Sequence, residues 1–206
     1  VIEDYADLFK KVKSGLLSNE EEIGLVGELV VFLQIFENGH SNNVLKYWKG
    51  PLNSLHDYVN ENNWHMEVKT SLNPNPVVKV HPIQQLEPIS LSFNLILVKL
   101  LRDREAGSTL SEFVDVIMTK LTSNKEKKEF ESLLLSVGYK EVHKSRYTRM
   151  FTIDEILRYK IDKSTTTLCP ATIGSKARYL DIRWTLQASD YPMINCDPAF
   201  WKNPAI

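Results

Sequence analysis

The stretch HDYVNENNWHMEVKTS, His56–Ser71, decides how this chain is read. It holds three carboxylates, Asp57, Glu61 and Glu67, and one lysine, Lys69. Two extended runs, Asp57–Asn60 and Trp64–Ser71, flank the polar Asn60-Glu61-Asn62-Asn63, which reads as a hairpin with Glu61 in its solvated turn. Strand side chains alternate with a period of two, so Glu67 and Lys69 share one face while Val68 points into the core. An acid and a base on one strand face allow two readings. One is a surface ion pair on a solvated edge, and the other is a metal site with a lysine aimed at the reacting atom.

The flanking sequence supplies the frame. Ile2–Lys13 has helical spacing and closes on basic residues. Ser18 with Glu21 forms a capping box for a helix over about Glu20–Phe36. Glu28 is the only charge between Ile23 and Phe36. Gly24 and Gly27 each cost that helix about 1 kcal/mol against alanine, so close packing on a neighbouring element is expected. Residues 42–51, NNVLKYWKGP, read as a strand ended by the Gly50-Pro51 turn. VVKVH (77–81) reads as a strand, Gln84–Glu87 as a short helix cut by Pro88, and Leu91–Leu101 as a buried strand. Capping boxes at Thr109/Glu112 and Ser123/Glu126 open two further helices, the second ending at Gly138. Beyond it, residues 146–153 and 178–187 read as strands, 154–160 as a short helix, and the proline-bearing C-terminus as a surface tail. The sum is a mixed α/β domain with a partly antiparallel sheet.

Asp57, Glu67 and Lys69 make sense as phosphodiester chemistry. Mg²⁺ is satisfied by one or two carboxylates and keeps its other positions for water and phosphate oxygens. Two acids on neighbouring hairpin strands can reach one ion, the Val68 carbonyl is a further donor, and Lys69 falls beside the metal-bound water. An acid-x-Lys triplet is nevertheless common. Glu126-Lys127-Lys128 is another, on a helix face where solvation explains it. Spacing alone leaves both readings of Glu67 and Lys69 open.

The series GLVGELVVF, WKGP, HDY, MEVKTS and QQLE resembles the PD-(D/E)XK nuclease superfamily, and within it the bacterial family named for that motif. The resemblance covers mainly residues 20–101 and departs from the pattern where His56, rather than proline, precedes Asp57. It implies a restriction-endonuclease-like core, a mixed central sheet flanked by helices, over about residues 18–138. Residues 139–206 would be a β-rich extension of the same single domain. It further implies a Mg²⁺-dependent DNA endonuclease, with Mn²⁺ as a substitute, in restriction or phage defence. Asp57 and Glu67 would bind the metal, Glu28 would complete the site, and Lys69 would serve the water. Ser71 and Gln85 match polar positions flanking the cleft, and Lys49 and Lys79 are added here as DNA contacts. A homodimer and a subunit of a larger defence complex are both open. The competing expectation is a catalytically silent member of the fold that binds or assembles, and a third is an RNA or nucleotide hydrolase.

Composition bounds these readings. A net charge of −1 means that any nucleic-acid surface must be local. Lys46 and the basic residues Lys140, Lys144, Arg146, Arg149, Arg158, Lys160 and Lys163 are further candidates, and interspersed acids give the last group an equal reading as solvated surface. No apolar run is long enough to cross a bilayer, and no secretory signal is visible. Cys169 and Cys196 share no ligand spacing and fit a reducing bacterial cytoplasm. The start at Val1, within a helical pattern, reads as the C-terminal part of a longer protein. His65-x-Glu67 lacks the Cys pair of a zinc deaminase, and Gly24–Gly27 lacks the lysine of a phosphate loop. Tyr47, Trp48 and Trp64 read as core, and His40, His56, His81 and His143 as surface or turn residues, with contact to the site through its neighbour as the alternative for His56.

Overall fold

The computed structural model describes residues 15–61, 63–88, 92–165, 184–188 and 191–205. The expected helix at Ile2–Lys13 and Cys169 lie outside them. The first described helix, α1 (Asn19–Ile35), starts at the Ser18/Glu21 capping box. A single turn, α2 (Val44–Tyr47), leads to the hairpin β1 (Tyr58–Asn60) and β2 (Trp64–Ser71). Then follow β3 (Val77–Val80), β4 (Ser92–Arg102), β5 (Ser108–Thr109), α3 (Leu110–Lys120) and α4 (Asn124–Val137). The last elements are β6 (Met150–Ile161), β7 (Trp184–Gln187), β8 (Ile194–Asn195) and α5 (Pro198–Lys202). Both other expected capping boxes form, and Gly138 ends α4 at φ 98°, a left-handed conformation that suits glycine.

The main sheet runs β1-β2-β4-β6-β5, with β8 also on β6. The β2–β4 pair is parallel and the others are antiparallel. Residues Phe93–Val98 of β4 are all buried because both sheet faces are covered. One core packs Met66, Val68, Ile96 and Val98 under Val26, Leu29 and Val30 of α1, together with Phe113 and Phe130. The opposite core joins Phe93, Leu95 and Leu97 to Val78, Val80, Leu86 and Leu186. The architecture is a mixed α/β fold with a helix-flanked mixed sheet, as in a restriction-endonuclease-like core.

The two helical glycines differ. A Cβ on Gly27 would lie 1.8 Å from Thr70 Oγ1, so α1 rests directly on β2. A Cβ on Gly24 would meet nothing within 4 Å, so the packing expected of both holds for Gly27 alone.

Several local expectations are corrected. Residues 42–51 hold the turn α2 instead of a strand, and only Trp48 bridges to Tyr58, because a helical turn lets Val44 and Leu45 both reach the core. The expected helix at 154–160 is the middle of β6, held by pairing with β4 from Phe93↔Ile161 to Arg102↔Phe151. The strand expected at 77–81 forms as β3 and pairs with β7 in a separate two-stranded sheet. The expected surface tail is docked: Phe200 and Trp201 are buried, Arg158 lies 4.6 Å from the Phe200 ring centre, and Ser92 Oγ donates to the Pro204 carbonyl at 3.2 Å. Among the described residues no helix is long and apolar enough to cross a membrane.

Candidate active site

The hairpin pairs Asn60↔Trp64, Val59↔His65 and Tyr58↔Met66, and Tyr58 is the first residue of β1. Past Met66, β2 continues with β4 on one side and, among the described residues, no strand on the other. Asp57, one residue before β1, stands in this fork. Its Oδ2 accepts the Val68 amide at 2.7 Å, where a missing strand would have paired. Its own carbonyl accepts the amides of Lys49 at 2.7 Å and Gly50 at 3.0 Å.

Glu28 approaches from α1. Its Oε2 accepts the Trp48 indole N–H at 2.7 Å, and Tyr58 OH donates to its carbonyl at 2.7 Å. Gly50 marks where this acid meets Asp57. A Cβ there would lie 2.7 Å from Glu28 Oε2 and 3.0 Å from Asp57 Oδ1. The two carboxylates crowd one point, and only glycine leaves them the room.

Glu67 and Lys69 project from β2 on the face of their register partners Leu95 and Leu97. Glu67 is buried, its Oε1 2.7 Å from Lys69 Nζ, while its Oε2 is buried with no hydrogen-bond partner. Lys69 Nζ also donates to Gln85 Oε1 at 2.9 Å, and the same oxygen accepts the His81 amide at 3.3 Å. A cavity of about 650 Å³ is lined by Glu28, Asp57, Glu67, Val68, Lys69, Ser71, Lys79 and Gln85. Lys79 is an exposed residue there, its ammonium 3.8 Å from Glu20. Lys49 does not line it and stands behind Asp57, which its amide holds.

The electrostatics follow from crowding acids in a dry space. Burial, then the Asp57 charge, pushes the Glu28 carboxyl up to about 8, against the opposing pull of the Trp48 hydrogen bond and Lys69. Burial likewise raises Asp57, opposed by the Val68 amide and Lys69. Burial and then Asp57 drive Glu67 well above the usual carboxylate range. Such a group wants a cation. Among the described residues no group of three or more His, Cys, Asp or Glu side chains is placed to hold a metal ion. A small hard cation needs none, since one or two carboxylates, a backbone carbonyl and waters satisfy it. The unpartnered Glu67 Oε2, the neighbouring Asp57 and the all-oxygen donor set fit Mg²⁺ or Mn²⁺.

Other features were not legible in the sequence. His56 is buried, its Nδ1 2.9 Å from His65 Nδ1 and its Nε2 3.2 Å from the Gln85 carbonyl; burial and then His65 lower it to about 4. It is a core residue rather than a surface one, because its neighbours Phe93 and Gln85 arrive from distant segments. Trp48 and Gly50 shape the site, and the only signal for them was the short WKGP run itself. Three cations of the basic C-terminal group are tied to structure: Arg149 pairs with buried Glu22, Lys144 with Asp115 and Glu141, and Arg158 stacks on Phe200.

A family model described as "Putative PD-(D/E)XK family member, (DUF4420)" matches residues 1–187. No curated protein and no solved structure gives a significant match. The family match spans the helix that carries Glu28, both strands of the hairpin and the Gln85 turn. The chain belongs to this PD-(D/E)XK family, and its fold is of the nuclease type.

Proposed function

We propose that this protein is a Mg²⁺-dependent endonuclease that hydrolyses DNA phosphodiester bonds, with Mn²⁺ able to substitute. Restriction or phage defence in a bacterial cytoplasm is the proposed setting. One observation carries the reading: Glu28, Asp57, Glu67 and Lys69, from three separate elements, line one cavity in which Glu67 Oε2 has no partner. Asp57, Glu67 and the Val68 carbonyl would hold the metal, with Glu28 completing the site. When bound, the ion supplies a more acidic water and relief of charge on the phosphoryl oxygens.

The chain's own residues do the positioning. Asp57 is fixed by the Val68 amide on one oxygen, and its second oxygen lies on the side of Glu28 Oε2, across the gap that Gly50 leaves. Lys69 uses two of its three N–H groups on Glu67 and Gln85, and the third is free to orient the nucleophile or meet developing negative charge. Ser71 and Lys79 line the cavity where the strand's flanking phosphates would lie. Gln85 and Lys49 are the remaining proposed DNA-side groups, Lys49 approaching from behind Asp57.

The test is cleavage of supercoiled plasmid, methylated and unmethylated, with Mg²⁺ or Mn²⁺. Glu67→Ala and Lys69→Ala are expected to abolish cleavage while keeping the wild-type circular dichroism spectrum. Undiminished cleavage by either variant removes the role assigned to that residue. Divalent-dependent DNA binding by the wild type without any cleavage would replace this reading with a binding or assembly subunit.

A further inference from the structure

The WKGP run does not line the cavity, yet Trp48 and Gly50 both meet its carboxylates, and of the run's side chains the chemistry above uses Lys49 alone. Trp48 is fully buried, and its orientation is fixed on every side. Its ring meets Phe32 edge-on at 5.8 Å and Phe130 at 5.8 Å, its amide donates to the Val44 carbonyl at 3.0 Å, and its backbone bridges to Tyr58. Only the indole N–H is left for a polar partner, and it donates to Glu28 Oε2 at 2.7 Å. Two residues on, the missing side chain of Gly50 is what admits Glu28 Oε2 and Asp57 Oδ1 to the same point.

We infer that Trp48 is a positioning residue for Glu28. It occupies one carboxylate oxygen so that the other is presented to the cation, while the Lys49–Gly50 amides hold Asp57 in register beside it. The inference rests on the metal-dependent reading above and deepens it. An isolated glutamate on a helix face has three rotatable bonds and wanders among rotamers. Here the indole N–H and the Gly50 gap select one arrangement, and the Trp48–Pro51 turn makes Glu28 and Asp57 a single donor unit. Partners that orient metal ligands in this way typically cost 10–100-fold in metal affinity when removed.

The test is a double-mutant cycle read by Mn²⁺ binding in calorimetry, without nucleic acid and without any assay of cleavage. Trp48→Phe keeps the apolar bulk and removes the donor; the expected loss of Mn²⁺ affinity is about tenfold or more. In a Glu28→Gln background, Trp48→Phe is expected to cause no further loss, because the effect passes through Glu28. Equal affinities of wild type and Trp48→Phe, or losses that simply add, overturn the inference. A metal-free readout stands beside it should Trp48→Phe fail to fold. The indole ¹H–¹⁵N signal of Trp48 in the otherwise intact protein is expected to move upfield in Glu28→Gln, and an unmoved signal overturns the inference alone. A wild-type protein that binds no Mn²⁺ removes the metal reading, and this inference with it.

Discussion

Alanine at Gly27 and at Gly24 should change stability in opposite directions, though the two sit three residues apart in one helix. At Gly27 the new Cβ lies 1.8 Å from Thr70 Oγ1, 2.9 Å from its Cβ and 3.0 Å from its Cγ2. Rotating Thr70 can move the hydroxyl but not the β-carbon, so α1 or β2 must shift. Overpacking of this kind costs about 1–3 kcal/mol, and alanine's helix propensity returns about 1 kcal/mol. Gly27→Ala is therefore expected to lose about 1 kcal/mol net. At Gly24 the added methyl meets open space, so only the propensity gain of about 1 kcal/mol remains. Urea denaturation followed by circular dichroism should separate the two variants by about 2 kcal/mol, a difference that also moves Tm by several degrees. Thr70→Ala should recover part of the Gly27→Ala loss. Equal stabilisation by both alanines would refute the direct contact between α1 and β2.

In chelator, stability should fall as pH rises from 6.5 to 8, because folded Glu28 holds a proton up to about 8 that the unfolded chain gives up near 4.5. Below 6.5 the buried His56, lowered to about 4, works in the opposite direction, so the carboxylate effect is cleanest above it. Glu67, also held well above the carboxylate range, acts in the same direction. Glu28→Gln should therefore lessen that slope in thermal melts without removing it, and Mn²⁺ should raise the wild-type Tm most at the alkaline end; a slope unchanged by Glu28→Gln refutes the assignment. Trp201→Ala should cost about 3–5 kcal/mol by chemical denaturation, as expected of a buried core aromatic, and a loss below about 1 kcal/mol would restore the surface-tail reading. Arg149→Met strands the buried Glu22 carboxylate, with an expected loss of about 3–5 kcal/mol that Glu22→Gln in the same chain should largely recover.

What could be read ahead of the structure was what local chemistry decides. Three capping boxes and a C-terminal glycine are written in spacings of three residues, and all were legible. So was the alternation that puts Glu67 and Lys69 on one strand face, and the oddity of Glu28 in an apolar helix. The structure brings these residues to one cavity, although nothing in their spacing states how Glu28 and Asp57 meet. That meeting depends on Gly50, and on a Trp48 whose aromatic character reads only as core. The misreadings share a cause. Residues 154–160 carry helical periodicity, yet β4 offers a long apolar edge, and pairing with it overrides local propensity. The docking of Phe200 and Trp201 and the Glu22–Arg149 pair join positions more than a hundred residues apart, which no local pattern encodes.

The fork from which β1 sets out also bears on how the protein keeps to itself. A strand with a free edge invites pairing with other chains, and a charged side chain placed on that edge is a common defence. Asp57 fills this position, its carboxylate occupying the Val68 amide that a foreign strand would seek. The residue is thereby guard as well as candidate ligand, and replacing it with alanine removes both functions at once. For trapping a nucleic-acid complex, an inactive variant at Lys69 keeps the Val68 amide paired, whereas one at Asp57 leaves it without its partner.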